Sequence, residues 1–197
     1  MKRILLTSNG LSTKKIKFAF KSQFIKPIEN VSVLFIPTAS RTEDEMIYVK
    51  KSYDELIESG VKKDNIIWFD IDAVNETSEY FESVDCIFVC GGNAYYLLSK
   101  LKEFGLDNKI IRAIEKGTVY VGVSAGSVVT SPTIDHICFL DENDTGLINF
   151  HALELIDKYV VPHYEKSFNN QLISDKPFVC ITDESAILYE NNMVTII

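Results

Sequence analysis

The chain has 197 residues, 46% of them hydrophobic, and a formal net charge of −8 at pH 7. That length and apolar content are enough to bury a core without disulfide bonds, and they exclude a chain that is mainly disordered. A surface this acidic repels nucleic-acid phosphates and anionic lipids, so we expect neither a nucleic acid nor a membrane among the partners.

Short apolar segments rich in Val, Ile and Phe predict strands, and they fall into two groups along the chain. The first group comprises 3–8, 31–37, 65–70, 85–89 and 118–123. Near-continuous apolar runs are typical of parallel strands that are covered on both faces. The second group, at 158–162, 178–182, 186–189 and 194–197, is joined by short links, and Asn191-Asn192 suits a hairpin turn.

Amphipathic segments between the first strands predict helices, with starts at Thr42 (in a capping-box pattern with Glu45), Asn93 and Asp107. Strands that alternate with helices predict an α/β fold, a doubly wound and mostly parallel sheet with helices on both faces and a strand-rich C-terminal part. We find no repeat, low-complexity tract or linker, which predicts a single domain over residues 1–197.

The cysteines and the N-terminal residues indicate a cytoplasmic protein. The four cysteines form no C-x-x-C pair, and Cys86, Cys90 and Cys180 lie in or beside apolar strands, where free cysteine behaves as a small hydrophobic residue. Only three apolar residues follow Lys2-Arg3, too few for a secretory signal. We expect reduced cysteines, no structural zinc and a cytoplasmic location.

The loop after the fifth strand carries a G-x-S-x-G pattern from Gly122 to Gly126. Small neighbours allow a sharp strand-to-helix turn that leaves the Ser124 hydroxyl exposed as a nucleophile, the arrangement called a nucleophile elbow. Backbone N–H groups at the start of the following helix could stabilise an oxyanion. The alternative is a tight glycine-rich turn in which Ser124 only caps a helix.

A serine nucleophile needs a base, and the chain offers three histidines. His163 comes just after an apolar strand, and it would emerge beside Ser124 if that strand runs parallel to the fifth one. His151, in a predicted short helix, and His136, in a loop, fit packed or solvated side chains better.

Several carboxylates could orient the base. Asp141, Glu142 and Asp144 cluster between Ser124 and His163, and Asp135 is a further candidate. The order serine, acid, histidine matches that of α/β-hydrolases, but several predicted strands still follow His163, which fits that fold poorly.

Gly91-Gly92 after the fourth strand adds backbone N–H groups that can approach a ligand closely. A dinucleotide site is not expected, because G-x-G-x-x-G is absent and the glycine pair does not follow the first strand. The sequence predicts no cofactor and no metal.

These loops together resemble the serine peptidase family of aspartyl dipeptidase (peptidase E) and cyanophycinase, whose fold is similar to that of class I glutamine amidotransferases. The matching segments are 36–40 (IPTAS), 90–93 (CGGN), 122–126 (GVSAG), 131–134 (SPTI) and 162–163 (PH), in the order of the family.

The resemblance implies catalytic roles for several of the residues above. It implies Ser124 as nucleophile, His163 as base, and Gly92 and Ala125 as oxyanion donors. It also implies an acid between serine and histidine, for which spacing favours Asp141 over Glu142.

The chain departs from aspartyl dipeptidase in its cations. None of its three arginines follows Ser124, so specificity for an N-terminal Asp is not carried over. Arg41 and Asn93, on two loops at the active edge, are the expected substrate-binding residues.

We therefore expect a cytoplasmic serine peptidase that acts on small peptides through a Ser-His-acid triad. The alternative is a non-peptidase of the same fold, either an amidase-like or esterase-like hydrolase or a small-molecule binder without activity.

Overall fold

A seven-stranded sheet forms the centre of the protein in a computed structural model that describes residues 2–73, 80–172, 177–190 and 193–197. Its strand order is β3-β2-β4-β5-β1-β8-β9. The strands are β1 (Arg3–Thr7), β2 (Val33–Ile36), β3 (Ile66–Trp68), β4 (Cys86–Val89), β5 (Val119–Val123), β8 (Ala186–Glu190) and β9 (Met193–Ile196). The first five are parallel to one another, while β8 and β9 are antiparallel.

Helices cover both faces of this sheet, as predicted for a doubly wound α/β fold. They are α1 (Lys14–Ser22), α2 (Glu43–Glu58), α3 (Tyr80–Ser83), α4 (Ala94–Glu103), α5 (Leu106–Glu115) and α6 (Ala125–Val128). The alternating side chains of β1, β2, β4 and β5 enter two separate apolar clusters, one on each face. Within the described residues, no helix has the length and apolar character that a membrane span requires.

The predicted caps are largely confirmed. Thr42 and Glu45 form the capping box of α2, and the Asn93 side chain accepts from Tyr96 N–H at the start of α4. The predicted start of α5 at Asp107 is wrong, because the helix begins at Leu106 after Gly105 turns into a left-handed conformation. Asn191-Asn192 lies outside the described residues, although the strands on either side pair as a hairpin.

The histidine strand lies outside the main sheet. β6 (Tyr159–Val161) pairs in parallel with β7 (Phe178–Cys180) in a separate two-stranded sheet. The helix expected around His151 is also absent from this described region, where His151 instead forms a bridge with Thr133. The segment 150–156 runs extended because its backbone bonds to the stretch after α6, as in Leu153 N–H to Val129 O.

The turn between β5 and α6 is packed against neighbouring backbone too closely for larger residues. A Cβ on Gly122 would lie 2.4 Å from Gly126 O, and one on Gly126 would lie 2.3 Å from Val89 O. The two glycines of the G-x-S-x-G pattern are therefore required by the contact of α6 with β5 and β4.

Gly126→Ala is expected to destabilise the protein by about 2 kcal/mol or more, because the new methyl group meets rigid backbone of β4. This loss should outweigh the roughly 1 kcal/mol that Ala gains over Gly in a helix. Urea unfolding measures the change. Gly105→Ala is the control, since its Cβ would meet no atom within 4 Å and only its φ of 61° causes strain. A larger loss at Gly105 than at Gly126 would contradict the argument.

Candidate active site

Ser124 sits at a sharp turn in a strained backbone conformation. Its φ is 47° and its ψ is −108°, a region that residues with a side chain rarely adopt. Its N–H donates to Thr7 O at 2.9 Å, which ties the turn to the end of β1. The geometry matches the predicted elbow, although α6 is a single turn of helix.

Two buried hydroxyl groups, those of Ser127 and Tyr120, hold this turn in place. Ser127 Oγ accepts from Thr7 N–H at 3.1 Å and lies 2.8 Å from both Thr7 O and Gly122 O. The Tyr120 hydroxyl donates to Gly126 O at 2.7 Å. Since both residues are fully buried, these bonds hold α6 against β1 and β5 without competition from water.

His163 lies beside Ser124 and bridges it to a carboxylate. Its Nε2 is 2.9 Å from Ser124 Oγ, and its Nδ1 is 2.7 Å from Asp183 Oδ1. With Asp183 accepting from Nδ1–H, the neutral ring presents Nε2 as an acceptor for the serine proton. The structure thus joins a serine hydroxyl, an imidazole and a carboxylate in one chain of hydrogen bonds.

Strand pairing in the small sheet brings Asp183 to the histidine. Val161 pairs with Cys180 in the parallel register of β6 and β7. The loops after the two strands therefore leave from the same edge, and Ile181 O accepts from Tyr164 N–H at 3.0 Å between them. Asp183 itself lies in a turn closed by Ser185 Oγ, which accepts from Thr182 N–H.

Asp141, which was predicted to orient His163, does not do so here. Its Oδ2 accepts from Ala94 N–H at 2.7 Å, at the first turn of α4, and Asp183 occupies the histidine Nδ1 instead. Asp141 faces a cavity of about 210 Å³ whose lining includes Ser124, Leu140 and His163. Burial raises the pKa of this carboxyl group above its usual value, although the Ala94 N–H and the nearby His163 lower it.

Glu142, Asn93 and Arg41 hold the loop that carries Asp141. The Asn93 side chain donates to Glu142 O at 2.8 Å, and Glu142 is exposed. Arg41 pairs with Asp144 at 2.8 Å and lies 4.3 Å from the centre of the Tyr96 ring. Arg41 and Asn93, which were expected to bind substrate, are thus engaged by the protein itself.

Gly91 faces Ser124 from the loop after β4, and Gly92 follows it in the lining of the cleft over Ser124. A Cβ on Gly91 would lie 3.1 Å from Ser124 Cβ, and Gly92 has a φ of 133° that favours glycine. Ser40 Oγ donates to Gly91 O at 2.7 Å. Because a trans peptide directs its N–H opposite to its carbonyl, this bond turns the Gly92 N–H away from Ser40. Among the described residues, neither Gly92 N–H nor Ala125 N–H has a hydrogen-bond partner.

An open cleft of about 400 Å³ lies over these groups. Its floor includes Ser124, His163, Asp183 and Gly92, and its walls come from the loop after β1 and from one side of α2. Glu45 on α2 lines the wall, and its pKa is lowered because N–H groups of Arg41 and Thr42 outweigh the effect of burial. Lys51, also on α2, is held by Asn9 Oδ1 at 2.7 Å.

Among the described residues, the other two histidines take no part in this chain of hydrogen bonds. His136 Nε2 bonds to Val160 O at 2.8 Å, its ring stacks on Tyr159, and burial lowers its pKa. In the described part of the chain, no group of three His, Cys, Asp or Glu residues is arranged to hold a metal ion.

The sequence-based prediction missed Asp183 because it places the acid between Ser124 and His163. A signal for it existed, since a strand was predicted at 178–182 and an aspartate follows it directly. Parallel pairing of that strand with the histidine strand would have placed the two residues at one edge.

Comparisons with known proteins show the family and the fold of the chain. The model of peptidase family S51 matches residues 4–197. An uncharacterised peptidase of Pasteurella multocida is 33% identical over 168 residues, which cover 83% of this chain and 78% of that protein. Peptidase E of a Nostoc species is 31% identical over 169 residues, 83% of this chain and 66% of its own. A crystal structure assigned to a peptidase E protein of Listeria monocytogenes superposes with a TM-score of 0.84 and 30% identity, over 100% of this chain and 98% of that one.

Asp141→Asn is expected to stabilise the protein at pH 7 and to lose that advantage near pH 4. Folding raises the pKa of this carboxyl group, so the folded state favours its protonated form. Ionisation therefore lowers the free energy of unfolding at pH values above the raised pKa. The effect disappears below the usual value of 3.8, where the group is protonated in both the folded and the unfolded state. The uncharged amide oxygen can still accept from Ala94 N–H. Urea unfolding at both pH values measures the difference, with exposed Glu142→Gln as control. An equal effect of Asp141→Asn at the two pH values would refute the assignment.

Proposed function

Since the chain belongs to peptidase family S51, we propose that it is a serine peptidase in which Ser124 attacks the peptide carbonyl. His163 serves as the general base, and Asp183 orients it. The observation that carries the proposal is the continuous hydrogen-bond chain from Ser124 Oγ through the imidazole to Asp183, with distances of 2.9 and 2.7 Å.

The first half of the reaction follows from the positions of the two ring nitrogens. As Ser124 Oγ bonds to the carbonyl carbon, its proton passes to His163 Nε2. The resulting imidazolium is stabilised by Asp183, which keeps Nδ1 as a donor throughout. The strained backbone of Ser124 keeps the hydroxyl directed into the cleft.

Backbone N–H groups complete the site. The carbonyl oxygen, negatively charged after attack, would accept from Gly92 N–H and Ala125 N–H, which have no other partner among the described residues. His163 then gives its proton to the leaving amine, and water releases the acyl group by the same steps in reverse. Removing one such donor typically costs a few kcal/mol of transition-state stabilisation.

Small peptides are the substrates that fit this cleft best. Its volume of about 400 Å³ lies within the range of roughly 300–1,000 Å³ usual for small-molecule sites. The relative from Nostoc carries the name Peptidase E. The charged groups along the wall, Glu45 and Lys51, could pair with the ammonium and carboxylate groups of a short peptide.

The cysteines support a cytoplasmic location for the reaction. All four are free thiols in the structure, and Cys86 and Cys90 are fully buried. Burial raises the pKa of both thiols, which keeps them protonated and unreactive. Unpaired cysteines are typical of proteins in a reducing compartment.

Ser124→Ala is expected to lower kcat/KM for the best peptide by at least about 10³-fold, since among the described residues Ser124 is the hydroxyl that lies against His163 Nε2. The substrates are dipeptides that begin with Asp, Glu, Ala or Lys, and the wild-type chain is assayed in parallel. The melting temperature should change little, because alanine keeps the backbone contacts of the turn.

The same panel separates the proposed peptidase from the other classes. Ser124-dependent cleavage of any dipeptide supports the proposal. If only acyl esters or amides are cleaved, the chain is a hydrolase of another class. A chain that cleaves nothing, but melts at a higher temperature with a peptide bound, would be a binding protein.

Asp183→Asn is expected to reduce kcat by about 10²- to 10⁴-fold with little change in KM, because the amide no longer selects the productive ring tautomer. Asp141→Asn is the matched control, a second carboxylate beside the site that does not contact the ring in the structure. Steady-state kinetics on one peptide compare the two. If Asp141→Asn caused the greater loss of kcat, the acid would have to be reassigned.

A further inference from the structure

We propose that Ser8 is a positioning residue that sets the place of the base relative to the acid. Ser8 follows β1 directly, and only 2% of the residue is exposed. It lies at the edge of the cleft over Ser124. Its Oγ accepts from His163 N–H at 3.0 Å and donates to Ile181 O at 2.9 Å. One hydroxyl thus joins the loop of the base to the loop of the acid.

The hydrogen bond to Ser8 matters because the backbone of His163 is strained. His163 has a φ of 52°, a left-handed conformation that is strained for a residue with a side chain. Pro162, just before it, has no N–H with which to anchor the turn. The bond from His163 N–H to Ser8 is therefore the contact that holds the strained residue from the β1 side. Without it, the imidazole can move away from Ser124.

A second hydroxyl ties Asp183 to the loop that follows β1. Ser12 Oγ donates to Asp183 O at 3.1 Å. Ile181 O, which accepts from Ser8 Oγ, also accepts from Tyr164 N–H. Movement of the loop after β1 would thus shift both loops at once. The inference rests on the proposed function only for its kinetic consequence, since the hydrogen bonds exist whatever the substrate.

Ser8→Ala should lower kcat by about 10²-fold with KM nearly unchanged, because a displacement of about 1 Å in a reacting group has an effect of this size. Ser8→Cys is the second variant, with similar shape but a sulfur that accepts hydrogen bonds poorly. Ser131→Ala is the matched control, since this fully buried serine accepts from Val160 N–H on the same strand, three residues before His163. It should lower the melting temperature but leave kcat near the wild-type value.

Proton NMR supplies a readout that needs no substrate. The Nδ1–H that His163 donates to Asp183 should give a downfield resonance, identified by its absence in His163→Gln. We expect this resonance to shift or broaden in both Ser8 variants and to persist in Ser131→Ala. If it is unchanged in Ser8→Ala, or if Ser131→Ala lowers kcat equally, Ser8 has only a structural role and the proposal is wrong. If the wild-type chain has no Ser124-dependent turnover while the resonance responds as expected, the proposed function fails and the role of Ser8 stands.

Discussion

The carboxyl end of β1 is the anchor on which the arrangement of the site depends. Thr7 O accepts from Ser124 N–H and lies 2.8 Å from Ser127 Oγ, so it holds the nucleophile's turn at two points. Ser8 Oγ then accepts from His163 N–H. Because β1 is paired on both sides, by β5 and by β8, its end is rigid. Ser124 and His163 keep their relative position because both are bonded to it.

Backbone strain marks the two residues that would carry the chemistry, and among the described residues it recurs at Glu154. Ser124 and His163 both have positive φ, and each such conformation costs on the order of 1–3 kcal/mol. Hydrogen bonds that involve the hydroxyls of Tyr120, Ser127 and Ser8, the first two buried and the third partly buried, offset the cost at about 1 kcal/mol each. At Ser124 and His163 these bonds hold the strained backbone in place, and the hydroxyl and the imidazole lie directed toward each other.

Local patterns made much of this architecture predictable. Near-continuous apolar runs identified the parallel strands, and the spacing of Gly122 and Gly126 identified the turn, because close backbone contact leaves no room for other residues. The Asn93 cap followed from short-range hydrogen bonding. The acid did not, because Asp183 reaches His163 only through the pairing of β6 with β7, a long-range contact that no local pattern encodes. The engagement of Arg41 by Asp144 is likewise a tertiary contact.

Strand pairing, rather than chain order, determines which carboxylate meets His163. The loops after β6 and β7 leave one edge side by side, so a carboxylate just after β7 lies within reach of the histidine ring. A carboxylate that precedes His163 in the chain has to reach the ring from the loop that Asn93 and Arg41 hold against α4. Asp141 lies on that loop, and its oxygen is already used by Ala94 N–H. The strand that pairs with the histidine strand therefore predicts which carboxylate reaches the ring better than the order of serine, carboxylate and histidine along the chain does.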